Sequence, residues 1–194
     1  EPDISLIISA GDQVETGITQ AQYNLFYNPE LMRSIPVATA IGNHDFYYPL
    51  YSIRSNNPNR FDRELLQCPA GKGYYFKRGE ALFIVLNSNN VLTYDHEELI
   101  KEAMNFYPDA LWRVVVMHYS IYSRKEEDNF YRPLFSKMFD KYDIDLVLSG
   151  HDQAAARSIL KQTPLPAATM TVSPTKLRGT QKNAFSFARR HMFC

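Results

Sequence analysis

Four short polar clusters carry the residue types that bind metal ions: Gly11-Asp12, Gly42-Asn43-His44-Asp45, His118 and Gly150-His151-Asp152-Gln153. Asp12 offers two carboxylate oxygens and can bridge two cations. Asn43 offers a neutral amide oxygen, and His118 and His151 offer imidazole nitrogens. A donor set of oxygen and nitrogen without thiolate suits zinc, iron or manganese better than copper(I) or an iron–sulfur cluster. Paired divalent ions about 3.5–4 Å apart are the usual device for displacement at phosphorus. One ion lowers the pKa of bound water to give hydroxide, and both stabilise the charge on the equatorial oxygens.

Each cluster follows an apolar run. The runs are Ile4-Ser5-Leu6-Ile7-Ile8, Pro36-Val37-Ala38, Val114-Val115-Val116-Met117 and Ile144-Asp145-Leu146-Val147-Leu148. Such runs read as core strands of a sheet covered on both faces. Loops leaving the carboxyl ends of these strands face a common crevice, so donors far apart in sequence meet there. Singly, each residue has a plainer reading. A strand-end Asp is commonly a turn residue, a His after an apolar strand is commonly a hydrogen-bonded core residue, and Asn-His-Asp can be a polar turn. The ordered joint occurrence is what points to a metal site. His96 and His191 fall outside the pattern.

The pattern of elements is mixed α/β. Strands are predicted over Ile4–Ser9, Val37–Ala40, Arg113–Met117, Ile144–Ser149, Ala155–Leu160 and Ala168–Val172. A hairpin is predicted from Gly73–Lys77 and Ala81–Asn87 around Arg78-Gly79-Glu80. Helices are predicted over Thr19–Ser34, Asp95–Phe106 and Glu127–Tyr142. In the first, Ile18, Tyr23, Leu25, Phe26 and Leu31 are the apolar positions, and Pro29 suggests a break. In the second, Asp95 with Glu98 resembles a capping box. In the third, Phe130, Leu134, Phe135, Met138 and Phe139 share a face. Residues 46–72 read as a long loop, and no structure is assigned after Thr175.

The 194 residues suffice for one sizeable core, and 45% hydrophobic content is that of a globular chain. Lys+Arg and Asp+Glu both number 21, so net charge points to no partner. The basic residues Arg157, Lys161, Lys176, Arg178, Lys182, Arg189 and Arg190 follow the last acidic one, Asp152. A short basic end is most simply solvated, and no clear nucleic-acid partner follows from it. Cys68 and Cys194 have no metal-type spacing. No stretch reaches the length of a membrane span. The chain opens almost directly into a strand without a Met, which leads us to expect a fragment. Neither a phosphate-binding Gly-Lys-Ser/Thr loop nor a Gly-x-Ser-x-Gly elbow occurs.

In order, Gly-Asp, Gly-Asn-His-Asp, His and Gly-His resemble the calcineurin-like metallophosphoesterases, and more narrowly their bacterial purple-acid-phosphatase-like branch. The resemblance runs from about Ile4 to Thr175. It implies a domain over 1–175 with a basic tail over 176–194. The implied fold is α/β: a four-layer αββα sandwich of two mixed β-sheets flanked by helices, incomplete at the amino end. It implies that Asp12 bridges two metals, that Asn43, His118 and His151 complete one site, and that Gln153 stands at the other. His44 would protonate the leaving oxygen or orient the phosphate, with Asp45 holding His44.

Three departures from the family pattern bear on the site. The opening Asp-x-His motif has no counterpart, Gln153 replaces the last His of Gly-His-x-His, and Glu15 stands where purple enzymes carry a Tyr ligand. One ion is therefore expected to bind well and the second poorly. The expected activity is metal-dependent hydrolysis of a phosphate ester by a metal-activated hydroxide, impaired in this fragment. The substrate would be a phosphorylated small molecule, and Arg54, Arg60 and Arg63 could grip it. Tyr47, Tyr48 and Tyr51 could wall the pocket or cover the core. The alternative is a non-catalytic module binding a phospholigand or a protein. Similar bacterial proteins suggest a periplasmic or extracellular location.

Overall fold

The computed structural model describes residues 4–58, 60–63, 65–123, 130–154, 156–159 and 186–189. Two sheets lie face to face with helices outside, the α/β layering expected. The small sheet pairs β1 (Ile7–Ser9) with β2 (Val37–Thr39) in parallel, Ile8 opposite Ala38. The large sheet has the order β3-β4-β5-β6-β8-β7 among the described residues. Its members are β3 (Tyr74–Arg78), β4 (Ala81–Val85), β5 (Trp112–Val116), β6 (Leu146–Ser149), β7 (Ala156–Ile159) and β8 (Ser186–Arg189).

The strands β4, β5 and β6 run parallel, with Val85 opposite Val116 and Val116 opposite Leu148. Parallel neighbours need crossovers, and helices supply them. Helix α4 (Thr93–Phe106) links β4 to β5, and α5 (Tyr131–Lys141) follows β5 and precedes β6. On the small sheet, α1 (Gln20–Tyr27) and α2 (Glu30–Ser34) lie between β1 and β2.

The period of two along each strand divides the large sheet into two cores. Tyr75, Leu82, Ile84, Val115 and Val147 face α4 and α5, where Leu99, Ile100, Phe135 and Phe139 cover them. Tyr74, Val85, Val114, Val116 and Leu148 face the small sheet, against Ile8 and Ala40. A third core of Val14, Tyr23, Ile41, Tyr51 and Ala70 lies over the small sheet's other side. Burial of this kind is worth about 25 cal/mol per Å² of apolar surface, so the inner strands anchor the loops at their ends.

The helix predicted over Thr19–Ser34 breaks at Pro29 as expected, and Pro29 caps α2. Several other elements differ from expectation. Tyr23 is buried, whereas Ile18, Leu25 and Leu31 are exposed at 61%, 72% and 46%. The long loop contains a short helix, α3 (Leu50–Arg54). Asp95 does not cap α4. Leu92 is the N-cap, and Asp95 Oδ2 instead accepts the Leu65 and Leu66 amides at 3.0 and 3.2 Å. The segment after Thr175, left unassigned from sequence, supplies β8, whose backbone pairs with β6 and β7. The strand predicted over Ala168–Val172 lies outside the described residues.

Candidate metal centre

The carboxyl ends of β1, β2, β4, β5 and β6 all open on one side. Asp12 leaves β1, Asn43 and His44 leave β2, His118 leaves β5 and His151 leaves β6. Asp12, His118 and His151 each bring one ligand atom into a group within 4.8 Å of one another. His118 Nε2 is the focus. It lies 3.0 Å from Asn43 Oδ1, 3.3 Å from Asp12 Oδ2 and 3.2 Å from His151 Nδ1.

The other nitrogen of His118 decides what this focus means. Nδ1–H donates to the Ala10 carbonyl at 2.8 Å, so in the neutral ring Nε2 carries a lone pair. Asp12 and Asn43 bring oxygens to the same point, and those oxygens also offer only lone pairs. His118 is 1% exposed, so water does little to separate these donors. One proton on Nε2 could satisfy one contact at a time. A divalent cation satisfies them together, and nitrogen and oxygen donors of this kind fit zinc, manganese or iron.

Backbone geometry is bent to make the cluster. Asp12 and His151 adopt φ of 54° and 66°, the left-handed region that non-glycine residues rarely enter. Two glycines permit the close approach of the loops. A Cβ on Gly42 would stand 2.1 Å from Asp12 Oδ1, and one on Gly11 (φ 98°) 2.4 Å from His118 Nδ1.

Asp12 feels opposing influences. Burial raises its carboxyl pKa, but the His118 ring when Nε2 carries a proton, the His44 amide and the His44 ring outweigh it and hold the group below its usual range. The His44 amide donates to Asp12 Oδ1 at 3.0 Å. The ionised carboxylate is the form that a cation requires.

His44 and Asp45 part company. His44 Nδ1 donates to the Glu15 carbonyl at 2.6 Å, which leaves Nε2 directed toward Asp12 Oδ2 at 3.9 Å. The expected contact between Asp45 and the His44 ring is absent. Asp45 is fully buried, and its oxygens accept the Tyr23 hydroxyl at 2.7 Å and the Gly42 amide at 3.1 Å. Burial, opposed by those two donors and assisted by the Asp12 charge, leaves its pKa pushed up to about 6. Asp45 thus braces the turn that carries Asn43 and His44.

Gln153 is exposed and left-handed, with φ 50°. Arg63 pairs with Glu102 of α4 at 2.7 Å, away from the role suggested for it. Tyr51 is core, donating to the Thr39 carbonyl, while Tyr47 is 68% exposed. The sequence reading missed the supporting roles of two residues and placed Tyr23 only as an apolar helix position. Gln22 Oε1 accepts the Glu15 and Thr16 amides, fixing the carbonyl that His44 uses, and Tyr23 holds Asp45.

The chain matches the model of the calcineurin-like phosphoesterases over residues 1–154. It belongs to that family, and so to a class of metal-dependent phosphoester hydrolases. A comparison with curated proteins gave no match. No helix among the described residues is long and apolar enough to cross a membrane.

Proposed function

We propose that the protein hydrolyses a phosphate ester of a small molecule with a divalent cation held by Asp12, Asn43, His118 and His151. The observation that carries this reading is the meeting of lone pairs at His118 Nε2. When bound there, a divalent ion supplies a Lewis acid for the phosphoryl oxygens and lowers the pKa of water. In the reaction a water oxygen bonds to phosphorus and gives up a proton, the ester P–O bond breaks, and the departing oxygen takes up a proton, so that no net proton is consumed. His44 is placed to give the departing oxygen its proton. Its Nδ1–H is committed to Glu15, so the transferable proton is on Nε2, on the Asp12 side. Asp45 and Tyr23 hold the turn, and Asp12 orients His44 through the backbone amide.

The exposed Gln153 supports a site that holds one ion well and a second weakly, which would limit turnover. The Gly42-Asn43-His44-Asp45 and Gly150-His151 motifs support the purple-acid-phosphatase-like branch, and an extracytoplasmic location belongs to the same proposal.

The test is turnover of chromogenic phosphate monoesters and diesters by metal-stripped protein, with and without manganese or zinc. Activity should require metal and fall about 100-fold in His44→Ala, as loss of a general acid does. Equal rates in the two proteins would remove His44 from the reaction. Absence of turnover on either ester class with either metal would overturn the hydrolase reading.

A further inference from the structure

A fifth strand end reaches the same crevice, and nothing above assigns it a role. At the ends of the central strands Leu86 N–H donates to the Val116 carbonyl (2.8 Å), Met117 N–H to the Leu148 carbonyl (3.0 Å) and Gly150 N–H to the His118 carbonyl (2.9 Å). The two amides after Met117, of His118 and Tyr119, leave the ladder. Both donate to one atom, Ser88 Oγ, at 3.1 and 3.0 Å. Ser88 is fully buried, as is Ser120 two residues beyond His118. Buried amides require a partner, and here a single hydroxyl serves two. The neighbouring side chain reaches the other ligand loop. Asn89 Nδ2 donates to the Ile41 carbonyl at 3.2 Å and the Gly42 carbonyl at 3.4 Å, the two carbonyls just before Asn43.

We infer that Ser88 and Asn89 are positioning residues that set the cation affinity of the site, Ser88 through His118 and Asn89 through the Gly42-Asn43 turn. The inference rests on the metal reading above. Both residues act through backbone, so each fixes where a ligand's Cα–Cβ bond points. The Gly150 amide also holds the His118 carbonyl, and the Ala10 carbonyl holds ring Nδ1. Ring orientation thus depends on Ser88 and Gly150 at the backbone and Ala10 at Nδ1. The loop is itself anchored. Asn90 Nδ2 donates to Asp95 Oδ2 at 2.7 Å, and His96 Nε2 donates to the Asn90 carbonyl at 2.7 Å. A rigid loop that touches two ligand segments through adjacent side chains links their separation to helix α4. Partners that orient ligands in this way commonly contribute a factor of about 10–100 to metal affinity.

The experiment titrates manganese into metal-stripped wild type, Ser88→Ala, Ser88→Thr and Asn89→Ala by calorimetry. In parallel, amide hydrogen exchange is followed at His118, Tyr119 and Val115 in the metal-free proteins. Ser88→Ala should bind manganese about 10-fold more weakly and lose about 10-fold protection at His118 and Tyr119, with Val115 unchanged. Ser88→Thr keeps the hydroxyl and should recover both. Asn89→Ala, on a partly exposed residue, should weaken binding without altering exchange at His118. Equal affinity in wild type and both alanine variants overturns the inference. So does weaker binding in Ser88→Ala with His118 exchange unchanged, or a failure of Ser88→Thr to restore either measurement. Wild type that takes up no manganese overturns the metal reading, and this inference with it.

Discussion

Two buried histidines stand on opposite sides of the β4–α4 connection and serve opposite ends. His96 is 2% exposed and His118 1%. His96 lies against the Phe135 ring, 5.1 Å between centroids, and donates to the Asn90 carbonyl. Burial holds its pKa below the usual value, against the raising influence of that carbonyl and Asp95, so it is a neutral structural group. His118 also donates to a carbonyl, but its second nitrogen faces the oxygens of Asn43 and Asp12. Burial does not distinguish the two. What the second nitrogen meets does.

The widest separation between them should appear in metal-linked stability. Manganese at 100 times its Kd should stabilise wild type by about 2.7 kcal/mol. His118→Ala should lose that increment and bind at least about 100-fold more weakly, while His96→Gln should retain both. Thermal melts with and without metal measure this, and a metal-induced shift preserved in His118→Ala would erase the distinction. Gly42→Ala sharpens it from the backbone. Its new Cβ falls 2.1 Å from Asp12 Oδ1 and 2.2 Å from the Asp12 amide. The variant should lose about 10-fold in manganese affinity and about 1–3 kcal/mol of stability in denaturant titration.

Tyr23→Phe removes a donor from the buried Asp45 carboxylate and should cost about 2 kcal/mol by urea unfolding. The smallest effect is at His96. Its folded pKa is depressed, so the unfolded chain binds the extra proton as pH falls below about 6.5. The stabilisation is complete above that pH and is lost as pH falls toward the folded value. His96→Gln should lower stability at pH 7 by about 1 kcal/mol and flatten the decline between pH 6.5 and 5. An unchanged slope would mean that His96 is not the neutral group described.

The strand ends were legible because the donors are local: a ligand directly after a buried apolar run, with a glycine before it everywhere but at His118. Asp12, Asn43, His118 and His151 follow that rule, and the structure brings them together. What each ring's other nitrogen would bind was not legible. Ala10 and His118 are 108 positions apart, and only the fold makes them neighbours. The Asp95-Glu98 spacing misled because a tertiary demand, the Leu65 and Leu66 amides, outweighed a local cap. Of the apolar positions named for the first helix, Tyr23 is buried but Leu25 and Leu31 are exposed, because the small sheet, two strands among the described residues, offers little surface to cover them. Asn87-Ser88-Asn89-Asn90 showed the same apolar-then-polar pattern as the other clusters. It passed unnoticed because it lacks imidazole and carboxylate.

The left-handed backbone at Asp12 and His151 has an evolutionary corollary. Each conformation costs on the order of 1–3 kcal/mol for a residue with a Cβ, and glycine would relieve much of it. Selection for thermal tolerance alone would therefore favour replacing these two side chains. A lineage freed from its need for the ion should erode here first, while its valines and isoleucines stay in place.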